Sequence, residues 1–260
     1  MTVSVLCMKW GTLYGPEYVN NLRRGVARHL SLTHRFICFT DDRTGLDPEI
    51  EVFPLPELGL PDGQTDTRWR KLGLFSNDLF GLEGKALFLD LDLVIVGGLD
   101  TFFDFGDGIR MIRDDDLFRA KPLRRINADR DAFLHAVGNS SVFGYEIGAH
   151  AYILDTYLSN PEAAMEQYEI SQQFQSAKLM ERGALSYWPS EWCVSFKNHC
   201  VPRHFRSFFS DPSLPKGARI VVFAGTPKMD EALRGQGGKW YRRIGPAPWL
   251  QEAWQGAVGP

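Results

Sequence analysis

The sequence predicts an α/β protein with a mixed sheet, parallel through its first half and flanked by helices. Three observations lead there. Short apolar runs rich in β-branched and aromatic residues punctuate the chain from end to end. Between the first two lies YVNNLRRGVARHLS, in which Tyr18, Leu22, Val26 and Leu30 recur at helical spacing with polar residues opposite. A strand, helix, strand order over residues 1–40 then needs a crossover, and a crossover makes its two strands parallel.

The strand candidates, in order, are 3–7, 35–39, 50–55, 86–90, 93–96, 109–112, 140–145 and 219–223. Residues 54–67 contain Pro54, Pro56 and Pro61 and so read as a loop, because proline cannot donate to a central ladder. RWRKLGLFSNDLF after it is helix-like. From Asp114 to Asp131 the chain is charged and lacks apolar periodicity, which predicts a long excursion near a site or a flexible lid, with Asp114, Asp115 and Asp116 as a solvated run. Helices are expected over 148–159 and 171–183. The organisation predicted is one domain, 1–245, followed by a tail, 246–260, laid across its body.

Composition narrows the function classes. With 29 Lys and Arg against 32 Asp and Glu, the net charge of −3 offers no global basic surface to a nucleic acid, although Arg68, Arg70 and Lys71 make a local basic cluster. The opening MTVSVLCMKWGT lacks the pattern of a secretory leader, and no apolar run approaches the length of a membrane span. A cytoplasmic protein without a transmembrane segment is expected, with peripheral membrane contact left open. Cys7, Cys38, Cys193 and Cys200 form no CxxC pair; Cys7 and Cys38, inside apolar runs, read as buried thiols, and the spacing of Cys193 and Cys200 matches no zinc site.

The strongest chemical signal is ALFLDLDLVIVGGLD. Side chains at i and i+2 share one face of an extended chain, so Asp90 and Asp92 point the same way at a strand end. Two carboxylates that close repel unless something neutralises them. A hard divalent cation does so, and Mg²⁺ or Mn²⁺ commonly completes its shell with substrate phosphates. The plainer alternative is a solvated loop between two strands.

FLDLDLVIVGGLDTFFD resembles the DxD strand of GT-A nucleotide-sugar glycosyltransferases, most nearly the glycogenin-like and bacterial lipopolysaccharide galactosyltransferase-like retaining enzymes. MKWGTLYGPEY, RWRKLGLFS, NSSVFGY and GTPK fall in that family's order, and the resemblance spans residues 3–230. It implies a GT-A-like, Rossmann-related mixed sheet flanked by helices. It also implies transfer of a sugar, with retention of configuration, from a nucleotide-diphosphate donor, expected to be a UDP-sugar, to a hydroxyl of a glycan or lipid-linked acceptor.

Carried over residue by residue, the resemblance makes Asp90 and Asp92 the ligands of a Mn²⁺ or Mg²⁺ ion. Lys71 and Lys228 become the catalytic cations that face the diphosphate and neutralise the leaving phosphate. Trp10, Gly11 and Tyr18 would lie at the first strand's end against the nucleotide, Asn139 and Ser140 would bond the sugar, and Gly225 would shape the loop before Lys228. Each has a plainer reading: the lysines as surface residues, the aromatics as packing, Asn139 and Ser140 as a turn.

Two departures touch the chemistry. Related enzymes carry a His beside the late glycine as a third metal ligand, where this chain has Ala224. An Asp-Gln pair expected at a late helix start reads Ser171-Gln172 here. A nucleotide-sugar-binding protein with impaired turnover is therefore an alternative, as is a phosphatase of the haloacid-dehalogenase type that uses the first Asp of DxD as nucleophile. Trp188, Trp192 and Lys197 in WPSEWCVSFKNHC suggest either an acceptor platform or core packing, with packing preferred.

Overall fold

A computed structural model of the chain describes residues 2–58, 67–118 and 128–255. Every residue of β1 (Val3–Lys9) is buried, as a strand with both faces covered requires. Helix α1 (Pro16–His29) starts at Pro16, whose missing N–H is harmless in a first turn, and has Glu17 near its positive end and Arg28 and His29 near its negative end. Its inner face is Val19, Leu22, Gly25 and Val26. Tyr18 is only half-buried, so Val19 takes the inner position that the spacing assigned to Tyr18. Burying Leu22 and Val26 contributes on the order of 2 kcal/mol each.

β2 (His34–Thr40) runs parallel to β1, and β3 (Glu51–Phe53) parallel to β2. β3 stops where Pro54 removes the next donor, shorter than the apolar run suggests. The chain then crosses back, and β4 (Lys85–Leu89) pairs with the opposite side of β1, also parallel. β5 (Leu93–Ile95) leaves this sheet altogether. β6 (Ile109–Arg113), β7 (Gly138–Glu146) and β8 (Leu185–Tyr187) complete a seven-stranded sheet of order β3-β2-β1-β4-β7-β6-β8, with β7 antiparallel to both neighbours. β9 (Cys193–Ser195) and β10 (Ile220–Val222) join β5 in a three-stranded sheet of order β5-β10-β9.

Helices α2 (Asp114–Leu117), α3 (Ala128–His135), α4 (Tyr152–Ser159), α5 (Pro161–Gln167), α6 (Ser171–Glu181), α7 (Met229–Leu233) and α8 (Pro248–Gln255) surround the sheets. All eight expected strands are present, while β8, β9 and the helices α2, α3, α5, α7 and α8 escaped the sequence reading. The helix-like RWRKLGLFS is a 3-10 helix, Thr67–Phe75, gripped through Trp69, whose ring lies 5.2 Å from Tyr157 of α4 and 5.9 Å from Phe174 of α6.

The acidic run is less solvated than expected, because Asp114 accepts hydrogen bonds from the side chains of Asn139 and Gln172. Residues 119–127 of the expected excursion, and 59–66 of the proline-rich loop, lie outside the described residues. Trp188 and Trp192 pack on Phe102 at 4.8 and 5.0 Å, and Trp188 is buried, so this pair belongs to the core rather than to an acceptor platform. In the tail, Leu250 and Trp254 of α8 are buried, and the Arg28 guanidinium donates to the Ala253 carbonyl. All four cysteines are buried free thiols.

Candidate active site

The sheet order reverses direction between β1 and β4, because the chain winds outward through β2 and β3 before returning. In open α/β sheets the carboxyl ends of strands at such a reversal leave a crevice that binds ligands. Here the crevice is a cleft of about 340 Å³, lined among others by Lys9, Trp10, Tyr14, Lys71, Asp90 and Asp92. Ser140, Ser171 and Gln172 form its other wall.

Asp90 and Asp92 occupy the crossing from the large sheet to the small one. Leu91 between them is buried, which turns both carboxylates the same way. On one side the Asp90 N–H donates to the Ser141 carbonyl of β7 at 2.9 Å; on the other the Phe223 N–H after β10 donates to the Asp92 carbonyl at 2.8 Å. The peptide segment that carries the acids is thus clamped by both sheets.

Lys71 comes from the 3-10 helix. Its ammonium donates to Asp90 at 2.7 Å and to the Ser140 carbonyl at 3.2 Å, and lies 5.2 Å from the centre of the Phe88 ring. Ser140 reaches it because β7 slips register against β6 between Met111 and Ile112, so residues 140–142 bulge at the strand's entry. The Gln172 side chain steadies that bulge, accepting from the Ser140 N–H at 3.4 Å and donating to Asp114 at 3.3 Å.

Asp92 has no lysine of its own; the Tyr14 hydroxyl donates to it at 3.5 Å. Burial, reinforced by the neighbouring Asp90 charge and only partly opposed by Lys71, pushes its carboxyl up to about 7. Burial, reinforced by the same carboxylates, pushes the Tyr14 hydroxyl well above the usual phenol range.

The expected site residues fall into three places. Trp10, Lys71, Asp90, Asp92 and Ser140 line the cleft. Tyr18 and Lys228 line an adjoining hollow of about 780 Å³, joined to the cleft at Leu13. Lys228 is exposed, with its ammonium 5.9 Å from the centre of the Tyr14 ring, and Tyr14 lies 4.8 Å from Tyr18. Gly11 and Gly225 are loop positions at φ +59° and +84°, the left-handed region that favours glycine. Asn139 is buried and turned away from the cleft, its amide donating to Asp114 and its oxygen accepting from the Ser141 N–H.

Tyr14, Lys9 and the anchoring role of Gln172 escaped the sequence reading. Tyr14 stands in MKWGTLYGPEY, four residues before Tyr18 and so next to it in space.

The arrangement of the two sheets has counterparts among solved structures. Galactosyltransferase LgtC, in complex with donor and acceptor sugar analogs, is similar over 87% of this chain and 88% of its own, with a TM-score of 0.56 and 16% identity. An LgtC active-site mutant, with Glu in place of Gln, gives 0.56 and 14% over 87% and 89%. The fold is that of a GT-A glycosyltransferase. No protein-family model and no curated relative matches the sequence.

Within that GT-A framework the donor set for a metal is thin. Asp90 and Asp92 supply hard oxygens suited to Mn²⁺ or Mg²⁺, but among the described residues no three His, Cys, Asp or Glu side chains come together. Ala224 follows Phe223, whose N–H bonds the Asp92 backbone carbonyl, and its methyl group offers no lone pair. Two carboxylates facing one cleft still fit a cation that takes its remaining ligands from phosphate and water.

Proposed function

We propose that this protein transfers a sugar from a nucleotide-diphosphate donor, a UDP-sugar in the expected form, to a hydroxyl of a glycan or lipid-linked acceptor. The observation that carries this reading is the cleft at the β1 and β4 strand ends of a GT-A fold, with Asp90, Asp92 and Lys71 converging on its floor. In this reading a Mn²⁺ or Mg²⁺ ion held by Asp90 and Asp92 would polarise the diphosphate and ease departure of the nucleotide.

The chain's own residues divide the remaining work. Lys71 holds Asp90 in place and brings a fixed positive charge to the cleft floor, where the leaving nucleotide gathers negative charge. Lys228, exposed at the rim of the adjoining hollow, is free to meet the same phosphates. Trp10 and the Tyr14–Tyr18 pair offer aromatic faces to the base. Ser140 and Gln172 present hydroxyl and amide groups to sugar hydroxyls, with Asn139 acting through Asp114 to position them.

Ala224, one residue past the backbone bond from Phe223 to Asp92, and Ser171 in the cleft wall favour a second reading, a nucleotide-sugar-binding protein with impaired turnover. The phosphatase alternative has less behind it, since Asp90 is already ion-paired with Lys71 and follows the fourth strand rather than the first.

Calorimetric titration of UDP, GDP and their sugar conjugates, with Mn²⁺, with Mg²⁺ and with chelator, tests the proposal. A metal-dependent signal for one nucleotide sugar, lost in Asp92→Asn, supports donor binding. Product formation from that sugar then separates the enzyme from the impaired binder. No binding by folded protein would overturn both.

A further inference from the structure

On the side of the small sheet, the 3-10 helix His204–Phe208 and the turn Lys239–Arg242 present one continuous aromatic surface. Phe205 is 60% exposed, Phe209 88% and Trp240 82%. Phe205 lies 6.3 Å from Phe208 and 6.4 Å from Trp240, ring centre to ring centre, and Trp240 lies 5.3 Å from Tyr241. Apolar side chains scattered singly over a surface mean little, whereas a contiguous exposed patch marks an interaction.

The exposure is built into the backbone. Lys239 and Arg242 exchange two backbone hydrogen bonds of 2.8 Å, closing a tight turn with Trp240 at its tip. The Arg242 guanidinium donates to the carbonyls of Lys197, Val201 and Pro202, and the Arg243 N–H donates to Ser207 Oγ at 2.8 Å. These bonds lock the turn to the 3-10 helix, so Trp240 is held out rather than folded back. On its other side the turn rests on the loop leading into Lys228, since a Cβ on Gly237 would lie 2.8 Å from Pro227.

Arg203, Arg206, Lys239 and Arg243 are exposed on the two segments that carry the rings, and neither 203–209 nor 239–243 contains an Asp or Glu. The next acid along the chain, Asp211, packs against Gly245. Indole and phenyl rings beside four exposed cations match a lipid headgroup region, where rings settle at the interface and Lys and Arg meet anionic phosphates.

We infer that the surface formed by Phe205, Phe208, Phe209 and Trp240, with the exposed Arg203, Arg206, Lys239 and Arg243, seats this protein on an anionic membrane. The attachment is peripheral: no described helix is long and apolar enough to cross a bilayer. It places the Lys228 loop next to the lipid surface, the side from which a lipid-linked acceptor would approach. Vesicle binding is read without nucleotide, so its failure and the failure of the donor chemistry are separate results.

Flotation of the full chain with phosphatidylcholine vesicles, with and without about 30 mol% phosphatidylglycerol, tests the inference. Binding is expected on the anionic vesicles, about tenfold weaker on phosphatidylcholine alone and similarly weakened at about 0.5 M salt. The double variant Trp240→Ser, Phe209→Ser and, separately, Arg206→Glu should each lower it by about tenfold, with unchanged thermal unfolding and unchanged UDP-sugar binding. No flotation, or flotation that these variants leave intact, overturns the inference. So does a wild-type oligomer in sedimentation velocity that Trp240→Ser dissociates, which would assign the patch to a contact between copies.

Discussion

Lys71 and Asp90 meet at 2.7 Å across the floor of the cleft, one from a 3-10 helix and the other from the end of β4. Their pairing leaves the two neighbouring carboxylates with a single net negative charge instead of two. Removing the ammonium while leaving both acids is therefore the harsher change. Lys71→Met should destabilise the fold by about 2 kcal/mol, discounted from the larger penalty of a fully buried pair because Asp90 keeps some contact with water. Chemical denaturation measures it. The paired variant Lys71→Met, Asp90→Asn should recover most of the loss in stability and none of the turnover.

Asp92 predicts a pH dependence with a definite sign. The folded chain holds this proton to about 7, whereas the unfolded chain releases it near the ordinary aspartate value of 3.8. Stability from the protonated carboxyl is full below the unfolded value and is lost as pH rises through the folded one. His135, raised by its pairing with Asp115, loses stability in the same direction, so the comparison must be made against a variant. Thermal unfolding of Asp92→Asn in chelator should fall less between about pH 5 and about pH 8 than that of the wild type. Identical slopes would show that Asp92 ionises freely in the fold.

The methyl group at position 224 suggests a gain of function. Ala224→His puts an imidazole one residue past the backbone bond from Phe223 to Asp92, where it would complete three donors of the kind that bind Mn²⁺ and Zn²⁺. Mn²⁺ affinity, measured by calorimetry without nucleotide, should rise by about tenfold or more. Unchanged affinity would mean that the side chain at 224 faces away from the acids.

Lys228 separates stability from chemistry. It is exposed, and its N–H, not its ammonium, donates to Glu231 at the start of α7. Lys228→Ala should leave the unfolding midpoint within about 0.5 kcal/mol of wild type, while product formation from a UDP-sugar falls by about a hundredfold. An equal loss on both readouts would make the residue structural.

Much of the fold could be read from the sequence because its central strands are apolar runs bounded by turn residues, and β1, β2 and β4 bury both faces. β8 and β9 could not be read that way. Each is three residues long, and the Trp188 and Trp192 rings between them are drawn into the core by Phe102, a contact no local pattern announces. In the cleft, the DLD segment stood out as two charges in an apolar stretch. The direction of Asn139 did not, since it follows from a register slip of β7 against β6, set by a partner strand and not by its own neighbours. Tyr14 was hidden for a similar reason: its hydroxyl finds Asp92 only after β1 and β4 lie side by side.

The bond from the Phe223 N–H to the Asp92 carbonyl has a consequence for synthesis. A chain emerging from the ribosome completes β1, the DLD segment and β7 well before β10 is available to receive β5. Until then β5 has an unsatisfied edge, the acids are held from one side only, and Lys228 has not been made. The residues lining the cleft are all made by Gln172, whereas Lys228 and the rest of the adjoining hollow come only near the end of translation, so the site is assembled in two instalments. A ligand that spans both the cleft and the hollow would therefore stabilise completed molecules and not truncated ones.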